Sequence, residues 1–150
     1  KKLRKKDTVI VGPADCTSQL KGDVRTMAPG DAITVGAVKI EAVPAYNPHK
    51  PYHPQANRWL GFILTVEGKR IYFAGDTDLI PEMKGIRVDI AILPVGGTYT
   101  MTAAEAAQAA ALIHPEVAIP IHCGDIVGTM EDAKEFHRLT PVPVEVKTPS

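Results

Sequence analysis

This chain contains a set of apolar runs that each end in a polar turn, and these runs limit the folds it can adopt. Residues 71–74 lead directly into Gly-Asp-Thr-Asp, residues 88–95 into Gly-Gly-Thr, and residues 117–121 into His-Cys-Gly. β-branched and aromatic residues favour strands, and α/β proteins place their chemistry at the carboxyl ends of such strands. If the three strands are parallel, we expect their polar ends to converge.

The remaining patterns predict a mixed sheet, or two sheets, flanked by helices. Alternation of apolar and polar residues indicates one hairpin at residues 32–43, and a second is predicted at residues 59–74. Hairpins that precede strands alternating with helices indicate the fold class α/β (α+β), in a single domain over residues 1–150. The other expected elements are strands at 8–11 and 142–146, helices at 102–113 and 130–139, a short helix at 80–84, and a helix or loop at 14–25.

Composition excludes several classes of function. The 17 Lys and Arg residues balance the 17 Asp and Glu residues, so no overall field favours nucleic acid or an anionic membrane. The longest apolar runs are far too short for a membrane span. The two cysteines do not form a disulfide framework. We therefore expect a cytoplasmic protein that acts on a small-molecule substrate and binds neither nucleic acid nor membrane.

Asp76 and His122 are the strongest candidates for chemistry, because each directly follows a predicted buried strand. A carboxylate there could bind a metal, act as a base, or cap the next helix. His122 could be a metal ligand or a hydrogen-bonded structural residue. Cys123 could be a nucleophile, but a thiolate needs an activating base and no Cys-His protease motif surrounds it, so packing or indirect support of the site is expected.

A proline-rich loop at residues 44–57 supplies further candidates. Four prolines exclude a helix or a central strand there, yet the loop carries His49, His53, Tyr46 and Tyr52. Long loops of this kind are often functional. Two imidazoles and a carboxylate from separate elements form the ligand set that zinc or manganese prefers. His49 is expected to be exposed. We expect a pocket to be lined by the aromatic residues Tyr46, Tyr52 and Trp59.

The motifs at residues 71–78, 88–97, 101–107 and 119–125 together resemble the metallo-β-lactamase superfamily. Four motifs in order over most of the chain make the similarity specific. The chain is most similar to the branch of metal-dependent hydrolases that includes ascorbate-6-phosphate lactonase-like and N-acylphosphatidylethanolamine phospholipase D-like proteins. The resemblance implies an αββα sandwich with a site for two divalent metal ions, zinc or manganese, and a metal-activated hydroxide that attacks an ester, lactone or phosphodiester.

The resemblance also implies roles for individual residues. Asp76 would bridge the two metals and His122 would bind the second, so these two are the implied catalytic pair. The family places a histidine where this chain has Asn47, so the ligand would be displaced to His53 or His49, or the Asn47 amide would lie near the metal; His53 is favoured. Residues expected to line the pocket or support the site are Asn47, His49, Thr77, Asp78, Tyr99 and Cys123.

One motif of that family, His-x-His-x-Asp-His, is absent from the 150 residues. The chain is therefore expected to be the C-terminal portion of a metallo-hydrolase domain, with a metal site that binds weakly or not at all by itself. The expected partners are a second copy of the chain or a complementing N-terminal segment. The alternative hypothesis is a non-catalytic binding or oligomerising domain derived from such a hydrolase.

Overall fold

The computed structural model describes residues 4–124 and 127–147, which form a mixed α/β fold. The described strands are β1 (Ile10–Gly12), β2 (Val24–Thr26), β3 (Ala32–Val35), β4 (Val38–Pro44), β5 (Leu60–Val66), β6 (Lys69–Phe73), β7 (Ile90–Pro94) and β8 (Val117–Ile121). The helices are α1 (Ala14–Thr17), α2 (Ala103–Ile113) and α3 (Met130–Leu139), with 3-10 helices at Gln55–Asn57 and Pro81–Gly85.

Six of these strands form one sheet in the order β3-β4-β5-β6-β7-β8. Strands β3 to β6 pair antiparallel, and the pairs β3–β4 and β5–β6 are the two predicted hairpins. Strands β6, β7 and β8 run parallel. Strands β1 and β2 form a separate parallel pair. The predicted mixed sheet with flanking helices is confirmed, and the three strands that end in polar turns are parallel neighbours.

One face of the sheet carries the core. Tyr72, Leu93 and Ala118 point to this face and are fully buried. Helix α2 packs there through a stripe of alanines, and Phe136 of α3 is also fully buried in the described core. Because alanine side chains are small, the helix can lie close to the sheet at the density that protein interiors require.

The opposite face of the same strands is also apolar but less buried. Side chains alternate along a strand, so Phe73, Ile92 and Ile119 share this face and lie side by side in register. Phe73 is 42% exposed, and none of the three belongs to the buried cluster formed by the described residues. A sheet with two apolar faces is what the predicted sandwich requires, since the second face of such a sheet lies inside a sandwich.

Three sequence predictions differ from the structure. The edge strand predicted at residues 142–146 is reduced to a single bridge between Val144 and Ala118, because Pro141 and Pro143 have no N–H to donate. The region predicted as a helix or loop contains α1 and the strand β2, which was missed because it has three residues, two of them polar and exposed. The helix predicted at 80–84 is a 3-10 helix.

The capping box predicted for α2 is present, and its contribution to stability can be tested by mutation. The Thr102 hydroxyl accepts from the Glu105 N–H at 3.2 Å, and the Glu105 carboxylate accepts from the Thr102 N–H at 2.8 Å. Thr102→Ala should therefore lower the free energy of unfolding by about 1 kcal/mol. Urea unfolding followed by circular dichroism measures this loss. Thr98→Ala, at an exposed threonine, is the control and should change stability by less than about 0.5 kcal/mol; equal losses in both variants would contradict the capping role.

Candidate metal centre

Asp76 and His122 lie at the same edge of the sheet, as the parallel strands predict. Asp76 follows β6 through a tight turn in which Gly75 has a φ of 69°, and His122 is the first residue after β8. A side chain on Gly75 would be strained in this conformation, and its Cβ would come within 3.0 Å of the Leu60 carbonyl oxygen. The turn therefore depends on glycine to direct Asp76 towards the neighbouring strand ends.

The Asp76 carboxylate lies between two imidazole rings. His122 Nε2 is 3.5 Å from Asp76 Oδ1, and His53 Nε2 is 3.5 Å from Asp76 Oδ2. The Asp76 side chain is 49% exposed, the His122 side chain 31% and the His53 side chain 17%, so ions and substrate can reach the cluster from solvent. The structure thus brings together the three residues predicted as metal ligands.

His122 has an unusual backbone conformation. Its φ of 58° lies in the left-handed region, which a residue with a Cβ adopts at a cost of about 1–2 kcal/mol. The chain packs tightly around its carbonyl oxygen, because a Cβ on Gly128 would lie 2.0 Å from that oxygen and a Cβ on Gly96 would lie 2.8 Å from it. Stored strain of this kind is concentrated at functional sites, and His122 is one of the candidate ligands.

His53 is held in place by the proline-rich loop. Asn47 is buried, and its side-chain oxygen lies 2.9 Å from both the backbone nitrogen and Nδ1 of His53. The Trp59 ring contacts the His53 ring edge to face at a centroid distance of 5.5 Å. The three residues that could have supplied the loop ligand therefore differ in position. His53 faces Asp76, Asn47 lies behind the His53 ring, and His49 is exposed as expected.

Thr77 and Asp78 hold the loops together and do not line the pocket. The buried Thr77 hydroxyl accepts from the Tyr46 N–H at 3.1 Å and can donate to the Tyr46 carbonyl at the same distance. Asp78 is mostly buried and pairs with Lys50 at 2.6 Å, while the Lys50 ammonium also donates to the Thr100 carbonyl. These contacts join the loops after β4, β6 and β7. Thr77 and Asp78 were expected either to line the pocket or to support the site. Their contacts are those of residues that support the site.

A cavity of about 960 Å³ adjoins the three candidate ligands. Tyr52 and Tyr99 form part of its wall and contact each other edge to face at 4.7 Å between ring centroids. Tyr46 and Trp59, which were also expected in this wall, are not part of it. Tyr46 is buried and its hydroxyl donates to Glu82, while the Trp59 indole N–H donates to the Asp15 carboxylate. The cavity continues along the apolar sheet face, and its other lining side chains include Phe73, Ile92, Ile119, Ile121, Val127 and Lys147.

Cys123 borders the cavity but is not an activated nucleophile. Burial raises the pKa of the Cys123 thiol, and the nearby Asp132 carboxylate raises it further. The sulfur lies 3.9 Å from the Pro120 carbonyl oxygen, and the side chain packs against the core. A thiol with a raised pKa is a poor nucleophile at neutral pH, which agrees with the expected packing role.

The three candidate ligands form two pairs that share Asp76. Among residues 4–124 and 127–147, no group of three or more His, Cys, Asp or Glu side chains is arranged to hold one metal ion. Instead, each carboxylate oxygen of Asp76 faces a different imidazole. A catalytic zinc site normally has three protein ligands, so an ion on either side of Asp76 would have one fewer from the described residues.

Lys50 and Gly128 contribute to the site but were missed from the sequence. Lys50 carried a weak signal, since it is the only lysine within the proline-rich loop. Gly128 carried none, because its close approach to the His122 carbonyl depends on the path of the chain and not on spacing.

In the described parts of the chain, no helix has the length and hydropathy needed to cross a membrane.

Comparison with known proteins shows the family to which this chain belongs. A family model described as a beta-lactamase superfamily domain matches residues 7–122. A protein of Methanopyrus kandleri named UPF0173 metal-dependent hydrolase MK1542 is 36% identical over 124 residues, which cover 77% of this chain and 54% of that protein. The chain therefore spans about half the length of this relative.

Solved structures show the same fold. A crystal structure from Parabacteroides distasonis, described as a metal-dependent hydrolase, matches with a TM-score of 0.85 and 38% identity over 97% of this chain and 66% of that one. The metallo-beta-lactamase fold protein YhfI of Bacillus subtilis matches with a TM-score of 0.74 and 13% identity, covering 93% of this chain and 61% of that one. The second likeness supports the fold alone.

Proposed function

Because this chain belongs to the β-lactamase superfamily, we propose that it is a metal-dependent hydrolase whose ligands include His53, Asp76 and His122. The observation that carries the proposal is the position of the Asp76 carboxylate, 3.5 Å from an imidazole nitrogen on each side. The relatives that are named metal-dependent hydrolases support catalysis over the alternative of a non-catalytic binding domain.

The distances suit shared cations better than direct hydrogen bonds. A hydrogen bond between an imidazole N–H and a carboxylate is normally about 2.7–2.9 Å long. Two ligand atoms that each lie about 2.1 Å from one metal in tetrahedral geometry are about 3.4 Å apart. Both separations at Asp76 match the second value, and imidazole with carboxylate is a donor set that suits zinc or manganese. We propose one of these two metals, with two ions in a complete site.

The roles of the protein residues follow from their positions. A divalent cation bound at this site lowers the pKa of water and polarises the substrate oxygen that accepts charge. Asp76 would supply the negative charge that attracts the cations, and His53 and His122 would each hold one of them. The Tyr52 and Tyr99 rings give the substrate a wall beside the ligands. We propose an ester, lactone or phosphodiester as the substrate.

Metal dependence of hydrolysis tests the proposal. The chain is dialysed against a chelator and assayed on p-nitrophenyl acetate, an aliphatic lactone and bis(p-nitrophenyl) phosphate, with and without excess Zn²⁺ or Mn²⁺. We expect one of the three substrates to be hydrolysed only after a metal is returned. Excess metal is needed because each ion would have only two of these ligands, one Asp76 oxygen and one imidazole, and would bind weakly. Hydrolysis that survives chelation unchanged would reject the proposal.

A further inference from the structure

Both polar atoms of the Asn47 side chain make hydrogen bonds, the nitrogen to Tyr99 and the oxygen to His53. Its amide nitrogen donates to the Tyr99 carbonyl at 3.0 Å. Its side-chain oxygen accepts from the His53 backbone N–H at 2.9 Å and lies 2.9 Å from His53 Nδ1. Its own backbone N–H donates to the His53 carbonyl at 2.8 Å. Asn47 is only 4% exposed, so solvent does not compete for these groups.

The two backbone partners determine which way the Asn47 amide points. A backbone N–H can only donate, so the atom that faces the His53 nitrogen is the oxygen. A backbone carbonyl can only accept, so the atom that faces Tyr99 is the NH₂ group. An exchange of oxygen and nitrogen would place two donors together at His53 and two acceptors together at Tyr99. The hydrogen-bonding partners therefore permit only one orientation of the amide.

This orientation determines the tautomer of His53. The ring atom Nδ1 faces an oxygen that can only accept, so Nδ1 must carry a hydrogen. In the neutral ring the other nitrogen, Nε2, then has a free lone pair. That lone pair faces the Asp76 carboxylate at 3.5 Å, an arrangement that repels unless a cation or a proton lies between the two atoms.

We propose that Asn47 is a positioning residue that holds His53 in its Nδ1–H tautomer and so presents Nε2 as a ready metal ligand. The inference rests on the proposed metal site for its consequence, but its effect on the ring is independent of metal. A partner that hydrogen-bonds the far nitrogen of a ligating histidine orients the ring and raises its donor strength. Through Tyr99, Asn47 also ties this ring to the loop that follows β7.

The test measures the ring itself and then metal affinity. Nitrogen-15 NMR of the metal-free chain distinguishes a protonated from an unprotonated imidazole nitrogen, and we expect His53 to be protonated at Nδ1 in the wild type. Asn47→Leu removes the acceptor and should shift His53 towards the Nε2–H tautomer that free histidine favours. Zinc affinity, measured by competition with a chromophoric chelator, should fall by about 10–100-fold.

Two further variants keep the test decisive. Asn47→Asp retains an acceptor for Nδ1, so it should keep the Nδ1–H tautomer even if the leucine variant does not fold. Asn57→Leu, at an exposed asparagine in the same loop, is the matched control and should behave as the wild type. An Nε2–H tautomer in the wild type or in Asn47→Asp would overturn the inference. So would a leucine variant that changes tautomer but keeps its zinc affinity.

Failure of the proposed function would give a different result. If the wild-type chain shows the Nδ1–H tautomer, the leucine variant loses it, and neither binds zinc or manganese, then the metal site is wrong while the hold of Asn47 on the ring is confirmed.

Discussion

Replacing Asp76 with asparagine is expected to lower metal-dependent hydrolysis by more than about 100-fold, beyond the 10–100-fold loss typical of residues that only support a ligand. The substitution keeps the shape of the side chain but removes its charge, and Asp76 is the residue that faces both imidazoles. Because its side chain is 49% exposed, the free energy of unfolding should change by less than about 0.5 kcal/mol. Initial rates with saturating metal, together with urea unfolding, measure both effects.

The control for this variant removes a carboxylate of similar exposure away from the site. Glu67 lies in the exposed turn between β5 and β6, so Glu67→Gln should leave hydrolysis and stability unchanged. Activity in Asp76→Asn within a few-fold of the wild type would show that the carboxylate does not bind the catalytic metal.

The second large effect is expected at Gly128. A Cβ there would lie 2.0 Å from the His122 carbonyl oxygen and 2.9 Å from the Gly96 Cα, and the φ of 65° already disfavours a side chain. Both obstacles are backbone atoms, which cannot rotate away as a side chain can. Gly128→Ala should therefore lower the free energy of unfolding by about 2–4 kcal/mol and weaken metal binding, because relief of the clash moves His122. Urea unfolding and zinc competition measure the two losses.

Gly124 provides the matched control for Gly128. It lies near the same histidine, but a Cβ at Gly124 would meet no heavy atom within 4 Å. Gly124→Ala should therefore keep both stability and zinc affinity. Equal behaviour of the two alanine variants would show that the chain does not pack around the His122 carbonyl as described.

The architecture was largely predictable because it rests on local patterns. Alternation of apolar and polar residues predicted the two hairpins, and helix α3 begins and ends where its periodicity indicated, at Met130 and Leu139. The three strands that end in polar turns, β6, β7 and β8, are parallel, and the convergence expected of their polar ends under that condition is confirmed. Prediction failed where few residues carry the signal, as in the three-residue strand β2, or where proline removes donors, as near Val144.

The candidate site was predictable in part. Asp76 and His122 were identifiable because strand ends have defined positions in a parallel sheet. His53 was favoured over Asn47 and His49, but no sequence pattern decides among the three, since the path of a proline-rich loop depends on contacts distant in sequence. The Lys50 pair with Asp78, which spans 28 residues, and the Asn47 bond to the Tyr99 carbonyl, which spans 52, fix that path. Neither contact leaves a periodic pattern in the sequence.

Anomalous X-ray diffraction can show whether Asp76 lies between cations held by His53 and His122. Crystals of the chain equilibrated with zinc or manganese are measured on both sides of the absorption edge of that metal. We expect anomalous density about 2.0–2.2 Å from Asp76 Oδ1 and His122 Nε2, from Asp76 Oδ2 and His53 Nε2, or at both places. Crystals that contain the metal elsewhere, with no density beside Asp76, would rule out this arrangement.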